Sequence, residues 1–228
     1  MFNRNITVVV NYILDNIVPP VLRDRRWFMG PIIRIVYGRQ TKHVLDFKEK
    51  FPFMGEDELA GYYELIKDAP INKRETDLNN ACLNYILNNI SGESVLDIAC
   101  GRCALLKRIR EKYPATEIHG ADIVDLDTDI PYTQASIYEL PFEDQRFDTV
   151  VCTHTLEHIR DIQKALGELL RVAKNRLIIV VPGQREYRYT PDLHVHFFPY
   201  LFTFKAEIGI EGAEYFKLKG DFVCVVNK

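Results

Sequence analysis

The residues of this sequence best suited to chemistry follow short apolar segments. The stretch VLDIACG, residues 95–101, passes from apolar residues through Asp97 into a turn formed by Ala99, Cys100 and Gly101. Small residues in a turn that follows a strand let a ligand approach the backbone closely. Asp97 could orient the turn amides or meet a cationic ammonium group. The stretch therefore predicts a binding turn for a cofactor.

A second acid, Asp122, ends the apolar segment EIHGAD one helix further along the chain. A carboxylate at the tip of a strand can accept hydrogen bonds from both hydroxyls of a ribose. An acid that only makes the strand end more soluble is the alternative interpretation. Three acids that follow are interpreted as loop residues: Asp125, Asp127 and Asp129.

Histidines supply the candidate catalytic bases. His194 and His196 lie in the aromatic stretch GQREYRYTPDLHVHFFPYLF, residues 183–202, and His154 follows the apolar segment FDTVVCT. An imidazole can take a proton from an acceptor hydroxyl near neutral pH. His194 and His196 alternate along an extended backbone, which predicts that only one of them faces the site. Three neighbours could position a substrate: Tyr187, Tyr189 and Asp192.

The elements that must hold these residues are strands and helices in alternation. From Ser94 onward the pattern predicts a mostly parallel sheet with helices near residues 104–112, 156–173 and 200–208. Seven strands are predicted: SVLDIA, EIHGAD, TQASI, FDTVVCT, RLIIVVP, AEYFKLK and DFVCVVN. Gly220-Asp221 predicts a tight hairpin between the last two, which makes them antiparallel. The predicted fold is a Rossmann-like, doubly wound α/β sheet.

Residues 1–90 are predicted to form a helical N-terminal extension or lid, and residues 91–228 the main domain. Apolar residues recur at helical spacing from Ile6 to Ile17, and Gly30-Pro31 is expected to break the backbone path further on. Two more helices are predicted over 56–67 and 76–90, the second with Thr76 or Asp77 as its N-cap.

The extension is basic. Residues 1–50 contain nine Lys and Arg against four Asp and Glu, a balance of +5, whereas the whole chain carries −3. Such a region could attract an anionic substrate or a membrane surface, and a solvated basic face is the alternative. A lid, a peripheral membrane contact and a packing element all stay open for this extension. The arginines concerned are Arg23, Arg25, Arg26, Arg34 and Arg39.

Composition sets the class of protein. Hydrophobic residues make up 47% and charged residues 27%, as in soluble globular proteins, and the whole-chain charge predicts no nucleic-acid partner. Five cysteines do not form the dense even set of a secreted disulfide scaffold. Asn11 interrupts the only segment that resembles a signal peptide, and no run approaches about 18 apolar residues. We therefore expect a cytoplasmic protein, or one at the inner face of the membrane.

The turn, the second acid and the segment ASIYELPFEDQRFDTVVCTHTLEHI, residues 135–159, together resemble the class I S-adenosylmethionine methyltransferases of the methyltransferase type 11 kind. The first motif of that family commonly reads acid, any residue, Gly, any residue, Gly, any residue, Gly. Ala99 and Cys103 replace two of those glycines here, and Gly101 keeps the third. The resemblance covers about residues 94–228.

This resemblance implies S-adenosylmethionine as the cofactor and a methyl transfer as the reaction. It places Asp122 at the ribose, Ile123, Ser136 and Ile137 at the adenine, and His154 near the reacting methyl. It also implies that residues 97–101 bind the methionine part of the cofactor.

The loop sequence YRYTPDLHVHFFP, together with LRDRRWFMGP near the N-terminus, resembles bacterial methyltransferases associated with surface-polysaccharide biosynthesis. The implied acceptor is a small molecule or carbohydrate: a sugar, a sugar phosphate, a nucleotide-linked sugar or a lipid-linked glycan. The implied reaction is O-methylation in the biosynthesis of capsule or lipopolysaccharide. Arg185 and Arg188 would then hold a phosphate or carboxylate.

Other interpretations use the same residues. N-methylation of an amino sugar or small amine is one alternative, and a cofactor-binding regulatory subunit without turnover, suggested by Cys103 and Ser136, is another. A nicotinamide-binding domain would need Gly-x-Gly-x-x-Gly, of which only Gly101 is present. Cys100 and Cys103 have the spacing of a redox or zinc motif, but we interpret them as turn residues because no second ligand pair follows.

His154 and His158 are predicted to share one helix face, which would allow a metal. Capping is the preferred role for Glu157 and His158, so no metal site is predicted. The oligomeric state is left open.

Overall fold

The computed structural model describes the backbone of residues 4–66, 69 and 75–228, and the side chains of these residues except 4–8, 56 and 57. The chain divides into two compact units, which we call the helical unit, Met1–Asp77 with Gln184–Phe197, and the sheet unit, Leu78–Gly183 with Phe198–Lys228. Compared with the predicted boundary after residue 90, the helical unit ends earlier and also holds the segment Gln184–Phe197. We call this segment the acceptor loop.

The helical unit begins with five helices. They are α1 (Arg4–Asn16), α2 (Pro20–Arg23), α3 (Arg26–Tyr37), α4 (Thr41–Lys50) and α5 (Glu56–Ile66), with 3-10 turns at Gly38–Gln40 and Phe51–Phe53. The predicted end of the last helix, Lys67, lies outside the described residues. The acceptor loop has no regular secondary structure.

Helix α3 runs through Gly30-Pro31, so the predicted break is wrong. A proline inside a helix costs about 3 kcal/mol. Met29 and Ile33, on either side of the pair, are fully buried in the core of the helical unit. Burial of such side chains contributes about 1.5–3 kcal/mol each, enough to offset the proline.

The sheet unit contains four helices and all seven strands. The helices are α6 (Asn80–Asn88), α7 (Ala104–Lys112), α8 (Ile162–Val172) and α9 (Leu201–Ile208). The strands are β1 (Ser94–Ile98), β2 (Glu117–Asp122), β3 (Tyr132–Gln134), β4 (Phe147–Thr153), β5 (Ala173–Pro182), β6 (Glu214–Leu218) and β7 (Asp221–Asn227).

The strand order is β3-β2-β1-β4-β5-β7-β6. Strands β1 to β5 are parallel to one another, and β7 is antiparallel to both β5 and β6. The predicted Rossmann-like sheet with an antiparallel C-terminal pair is therefore confirmed. Successive side chains of β1 point to opposite faces: Leu96 and Ile98 pack in one core cluster with α8 and α9, and Val95 packs in the other with α6 and α7.

Several local boundaries differ from the prediction. Strand β3 ends at Gln134, so Ser136 and Ile137 lie in the loop after it. The side chain of Asn79, not of Thr76 or Asp77, caps α6 by accepting from the backbone N–H of Cys82 at 2.8 Å.

Helix α8 starts at Ile162, six residues later than predicted, because the side chain of Asp161 caps it by accepting from the N–H of Lys164 at 2.9 Å. His154 and His158 therefore precede the helix, and the predicted shared helix face does not exist. At the hairpin, the loop is Lys219-Gly220, since both have positive φ (52° and 103°) and Asp221 is already in β7.

Candidate functional site

The predicted cofactor residues follow neighbouring parallel strands at one edge of the sheet. After β1 the chain adds β2 and β3 to one side of β1, and it then crosses to add β4 to the other side of β1. In open α/β sheets ligands bind outside the carboxyl ends of the strands at such a reversal. Asp97 lies in β1, Asp122 ends β2 and His154 follows β4, so the sheet brings all three to this edge.

The turn after β1 has a left-handed backbone. Ala99, Gly101 and Cys103 have φ of 55°, 51° and 57°. A Cβ added at Gly101 would meet no atom within 4 Å, so the backbone there borders open space. The side chain of Cys103 is fully buried, with its Sγ 3.6 Å from the Sγ of Cys100. The cysteine that replaces a family glycine therefore turns into the core and does not cover the turn.

The side chain of Asp122, at the end of β2, is hydrogen-bonded to the turn that follows β1. Its carboxylate accepts from the backbone N–H of Gly101 at 2.9 Å and from that of Val124 at 3.1 Å. The hydroxyl of Tyr132 donates to the backbone carbonyl of Asp122 at 3.0 Å. Burial raises the pKa of Asp122, and the backbone N–H donors oppose that rise because they favour the ionised form. The carboxylate is thus held in place at the tip of β2, as a ribose site requires.

Asp97 is well placed to pair with a positively charged group of a ligand. Its side chain is buried, and within the described part of the chain no donor lies within hydrogen-bond distance of Oδ1. Burial raises the pKa of Asp97 well above its usual range, and the nearby Cys103 and Asp122 raise it further. A buried carboxylate without a donor is costly unless a charge pairs with it. The ammonium of S-adenosylmethionine fits this requirement.

We expect Asp97→Asn to weaken cofactor binding without lowering the thermal stability of the free protein. In the unfolded chain an Asp has a pKa of about 3.9, so Asp97 loses its proton there at a lower pH than in the folded protein. Above that pH the ionisation of Asp97 therefore favours the unfolded chain and lowers the free energy of unfolding. The amide removes that penalty. Affinity of the wild type for S-adenosylhomocysteine should rise with pH, because the ammonium pairs with the ionised form.

Calorimetric titration across pH, with thermal unfolding of the free proteins, measures both effects. Asp97→Asn should bind at least about tenfold more weakly and lose the pH dependence that Asp97 causes. Unchanged affinity in this variant would remove Asp97 from the cofactor site.

Of the predicted adenine contacts, Ile123 directly follows Asp122, and Ser136 and Ile137 directly follow Ala135, whose N–H donates to the carbonyl of Asp122. Ile123 is half-buried, and its carbonyl accepts from Nε2 of Gln134 at 3.0 Å. Ser136 Oγ accepts from the N–H of Tyr138 at 3.3 Å, and Ile137 packs against the first core cluster. All three follow the carboxyl ends of β2 and β3.

His154 has a left-handed backbone with φ of 50°, and its N–H donates to the carbonyl of Val180 at 2.8 Å. Its Nε2 lies 3.4 Å from Oδ2 of Asp221, and its Nδ1 lies 3.6 Å from Oε1 of Glu157. A non-glycine residue in this conformation costs about 1–3 kcal/mol and is typical of functional sites. These contacts hold the ring at the end of β4.

In the acceptor loop, His194 is buried and His196 is half-buried. The Nδ1 of His194 lies 2.6 Å from Oε1 of Gln184. The Nε2 of Gln184 donates to the hydroxyl of Tyr187, which is itself buried. These three side chains form a hydrogen-bonded chain inside the helical unit.

The other predicted substrate residues differ in exposure. Arg185 is exposed and donates to the backbone carbonyl of Asp15 at 3.2 Å. Arg188 is exposed, and its side chain donates to Glu49 at 2.8 Å. Tyr189 is buried in the core of the helical unit, where its ring supports the loop. Asp192 is half-buried, and its N–H donates to Thr190 Oγ1 at 3.2 Å.

Two residues of this region have roles that the sequence did not predict. Gln184 orients both Tyr187 and His194, and its only signal is its position two residues after β5. Arg23 was expected to attract anions from the surface, but it is buried: it donates to the carbonyls of Leu14 at 3.0 Å and Glu186 at 2.9 Å. The charged run RDRR, residues 23–26, does not indicate by its sequence that the side chain of Arg23 is buried.

Comparisons with known proteins agree with this geometry. Residues 96–181 match a family model described as a methyltransferase domain. A ubiquinone biosynthesis O-methyltransferase of Alkalilimnicola ehrlichii is 27% identical over 114 residues, 43% of this chain and 45% of that protein. A 2-phytyl-1,4-naphtoquinone methyltransferase of Trichormus variabilis is 31% identical over 98 residues, 36% of this chain and 43% of that protein. The chain spans less than half the length of these relatives.

The crystal structure of a SAM dependent methyltransferase from Archaeoglobus fulgidus has the same fold. It superposes with a TM-score of 0.55 at 18% identity and covers 73% of this chain and 100% of that one. Residues 96–181 are therefore similar to a methyltransferase domain, and the fold is one that S-adenosylmethionine-dependent methyltransferases share. The predicted enzyme class and cofactor are confirmed at the level of this domain. The relatives are named for quinones, so the sugar acceptor stays a prediction.

Proposed function

We propose that this protein transfers a methyl group from S-adenosylmethionine to a hydroxyl of a sugar, sugar phosphate or glycan precursor, in the biosynthesis of a bacterial surface polysaccharide. In this proposal Asp97 and residues 99–101 hold the methionine part of the cofactor and Asp122 holds the ribose. Ile123, Ser136 and Ile137 contact adenine, and His154 lies beside the methyl.

The observation that carries the acceptor class is a set of buried polar atoms in the helical unit. Oδ1 of Asn11, Oδ1 of Asp15 and Nε of Arg23 are buried, and among the described residues none of the three atoms has a hydrogen-bond partner. Burial raises the pKa of Asp15 to about 6, and the nearby Arg23 and Arg185 oppose this rise. An acceptor rich in hydroxyls supplies both donors and acceptors to such atoms.

A polar acceptor also fits the residues around Asp15. Arg185 is close enough to lower its pKa, and Asp192, on the same loop, raises it. Buried polar atoms discriminate strongly against a ligand that cannot pair with them. In the proposal Arg185 and Arg188 hold a phosphate or carboxylate, Asp192 and Tyr187 orient the sugar, and His194 or His196 removes the hydroxyl proton.

A quinone-type phenol is the second candidate acceptor, because the two relatives above are named as quinone methyltransferases. Their matches cover 114 and 98 residues, less than half of this chain. An isoprenoid quinone would also leave the polar atoms of Asn11 and Asp15 without donors.

An acceptor screen tests the proposal. The full chain is incubated with S-adenosylmethionine labelled in the methyl group and with three panels: sugar phosphates and nucleotide sugars, short-chain demethylated quinones, and amino sugars or small amines. We expect label in the first panel, on oxygen, as located by mass spectrometry. Label only on a quinone or an amine would replace the proposal, and cofactor binding without turnover in any panel would favour a regulatory subunit.

A further inference from the structure

Helix α1 buries Leu14 in the core of the helical unit but presents several other apolar residues to solvent. Ile17, which directly follows its last residue, is 65% exposed, and Ile13 and Val9, one and two turns earlier, are exposed as well. At 100° per residue these three positions fall on one side of the helix, within about 80° of each other. The polar atoms Oδ1 of Asn11 and Oδ1 of Asp15 are buried instead. A helix on the water-exposed surface of a protein usually directs its apolar side chains to the core and its polar side chains to solvent.

Helices α2 and α3 continue this pattern. Val21 of α2 is exposed, Trp27 is 68% exposed and Ile35 is 74% exposed. Trp27, Pro31 and Ile35 are four residues apart, so they share one face of α3, and all three are exposed. The opposite face carries the buried side chains of the core.

Most of the exposed large apolar side chains in the described part of the chain belong to these three helices. We define the N-terminal apolar face as Val9, Ile13, Ile17, Val21, Trp27 and Ile35. Exposed apolar side chains concentrated in three consecutive helices are typical of interaction sites.

Basic residues accompany this face. Arg25 precedes Trp27 by two residues, and Arg34 precedes Ile35 on the same side of α3; both arginines are exposed, as is Arg39 beyond the helix. The balance of +5 in residues 1–50 contrasts with −8 in the rest of the chain, given the total of −3. An anionic surface would attract the first region and repel the second, which orients the molecule.

We propose that the N-terminal apolar face lies on the surface of an anionic phospholipid bilayer. Amphipathic helices bind in this way, with apolar side chains at the boundary of the acyl region and arginines at the headgroups. Tryptophan is favoured at that depth. No helix in the described ranges is long and apolar enough to cross a membrane, so the binding is peripheral.

The charged residues near the N-terminal apolar face favour a bilayer, and not a second copy of the chain, as the surface that covers it. The centre of a protein interface is depleted of charged residues. Here Arg34 lies about 20° around the helix from Trp27, and Arg25 precedes Trp27 by two residues. Long arginine side chains reach headgroups from such positions while their methylene groups stay in apolar surroundings.

The protein provides its own probe, because Trp27 is its single tryptophan. We expect a blue shift of the emission of the full chain with vesicles of phosphatidylcholine and phosphatidylglycerol at 3:1, and partitioning at least about tenfold weaker into phosphatidylcholine alone. High salt should reduce this preference. Cosedimentation gives the partition coefficients, and neither measurement uses methyl transfer, so the result is independent of the proposed function.

Three variants locate the face. Ile13→Ser with Ile17→Ser should lower the partition coefficient about tenfold or more, and Arg34→Glu with Arg39→Glu should abolish the preference for the anionic vesicles. Phe202→Ser is the matched control, since this residue of α9 is 78% exposed but lies in the sheet unit, and it should partition as the wild type does. Circular dichroism and cofactor binding check that each variant is folded.

Absence of a blue shift and of cosedimentation for the wild type would overturn the proposal, whatever the variants do. So would a shift that depends on protein concentration without vesicles and accompanies a doubling of mass in light scattering, because a second copy would then cover the face.

Discussion

His194→Ala should lower the single-turnover rate of methyl transfer to a hydroxyl acceptor by about 10²–10⁴-fold, with little change in cofactor affinity. A hydroxyl becomes a good nucleophile only as its proton leaves, so a positioned base acts mainly on the chemical step. This prediction rests on the proposed hydroxyl acceptor.

The hydrogen-bonded chain in the acceptor loop supports His194 over His196. Because the amide nitrogen of Gln184 donates to Tyr187, its oxygen faces His194, and the 2.6 Å contact is then a hydrogen bond donated by Nδ1. The proton on Nδ1 fixes the tautomer in which Nε2 carries the lone pair. A hydrogen-bonded partner of this kind orients the imidazole of a general base, as in the serine hydrolase triad.

His196→Ala is the matched control, two residues along the same loop, and should retain a rate near that of the wild type. His154→Ala tests the histidine at the end of β4 in the same assay. Rapid-quench measurements with the identified acceptor and saturating cofactor separate the chemical step from binding. Near-wild-type rates in all three variants would contradict histidine base catalysis and shift the role to Asp192, a tyrosine or proximity alone.

Asp122→Ala should weaken binding of S-adenosylhomocysteine by about 1.5–3 kcal/mol, or about 10–150-fold. The variant loses the proposed contacts to both ribose hydroxyls. It also leaves the N–H groups of Gly101 and Val124 without the carboxylate that accepts from them at 2.9 and 3.1 Å. The loss of the ribose contact and the loosening of the turn act in the same direction.

Isothermal titration calorimetry measures this effect, and Asp122→Asn separates its two causes. The amide oxygen can still accept from one backbone N–H, so an intermediate affinity is expected. Asp125→Ala is the control, because this exposed acid lies three residues further along, in the loop. Wild-type affinity in Asp122→Ala would exclude Asp122 from the ribose site.

The sheet and the edge that holds Asp97, Gly101 and Asp122 could be predicted because both depend on sequence patterns within short segments. Alternating apolar segments and intervening helices give the order of elements, and small residues after a strand indicate a tight turn. Asp97, Gly101 and Asp122 are close in the folded chain because consecutive parallel strands end at one edge. Strands β2, β4 and β7 have the predicted bounds.

Boundaries set by side-chain capping were harder to predict. Several polar residues precede α6 and α8, and each could cap the helix. Asn79 and Asp161 do so because their positions in the folded chain let them accept from the first turn. Likewise, the helical course of α3 through Gly30-Pro31 depends on the burial of Met29 and Ile33, which no local propensity contains.

Residue types and spacing in the sequence by themselves determined the doubly wound sheet, its antiparallel end and the edge where we propose that the cofactor binds. Tertiary structure alone decided that the acceptor loop belongs to the helical unit, that Gln184 orients His194, and that Val9, Ile13 and Ile17 face solvent. Arg23 donates to the carbonyl of Glu186, 163 residues away in sequence, and helps to fasten the loop. Such contacts depend on which surfaces meet after folding, and spacing along the chain carries no signal for them.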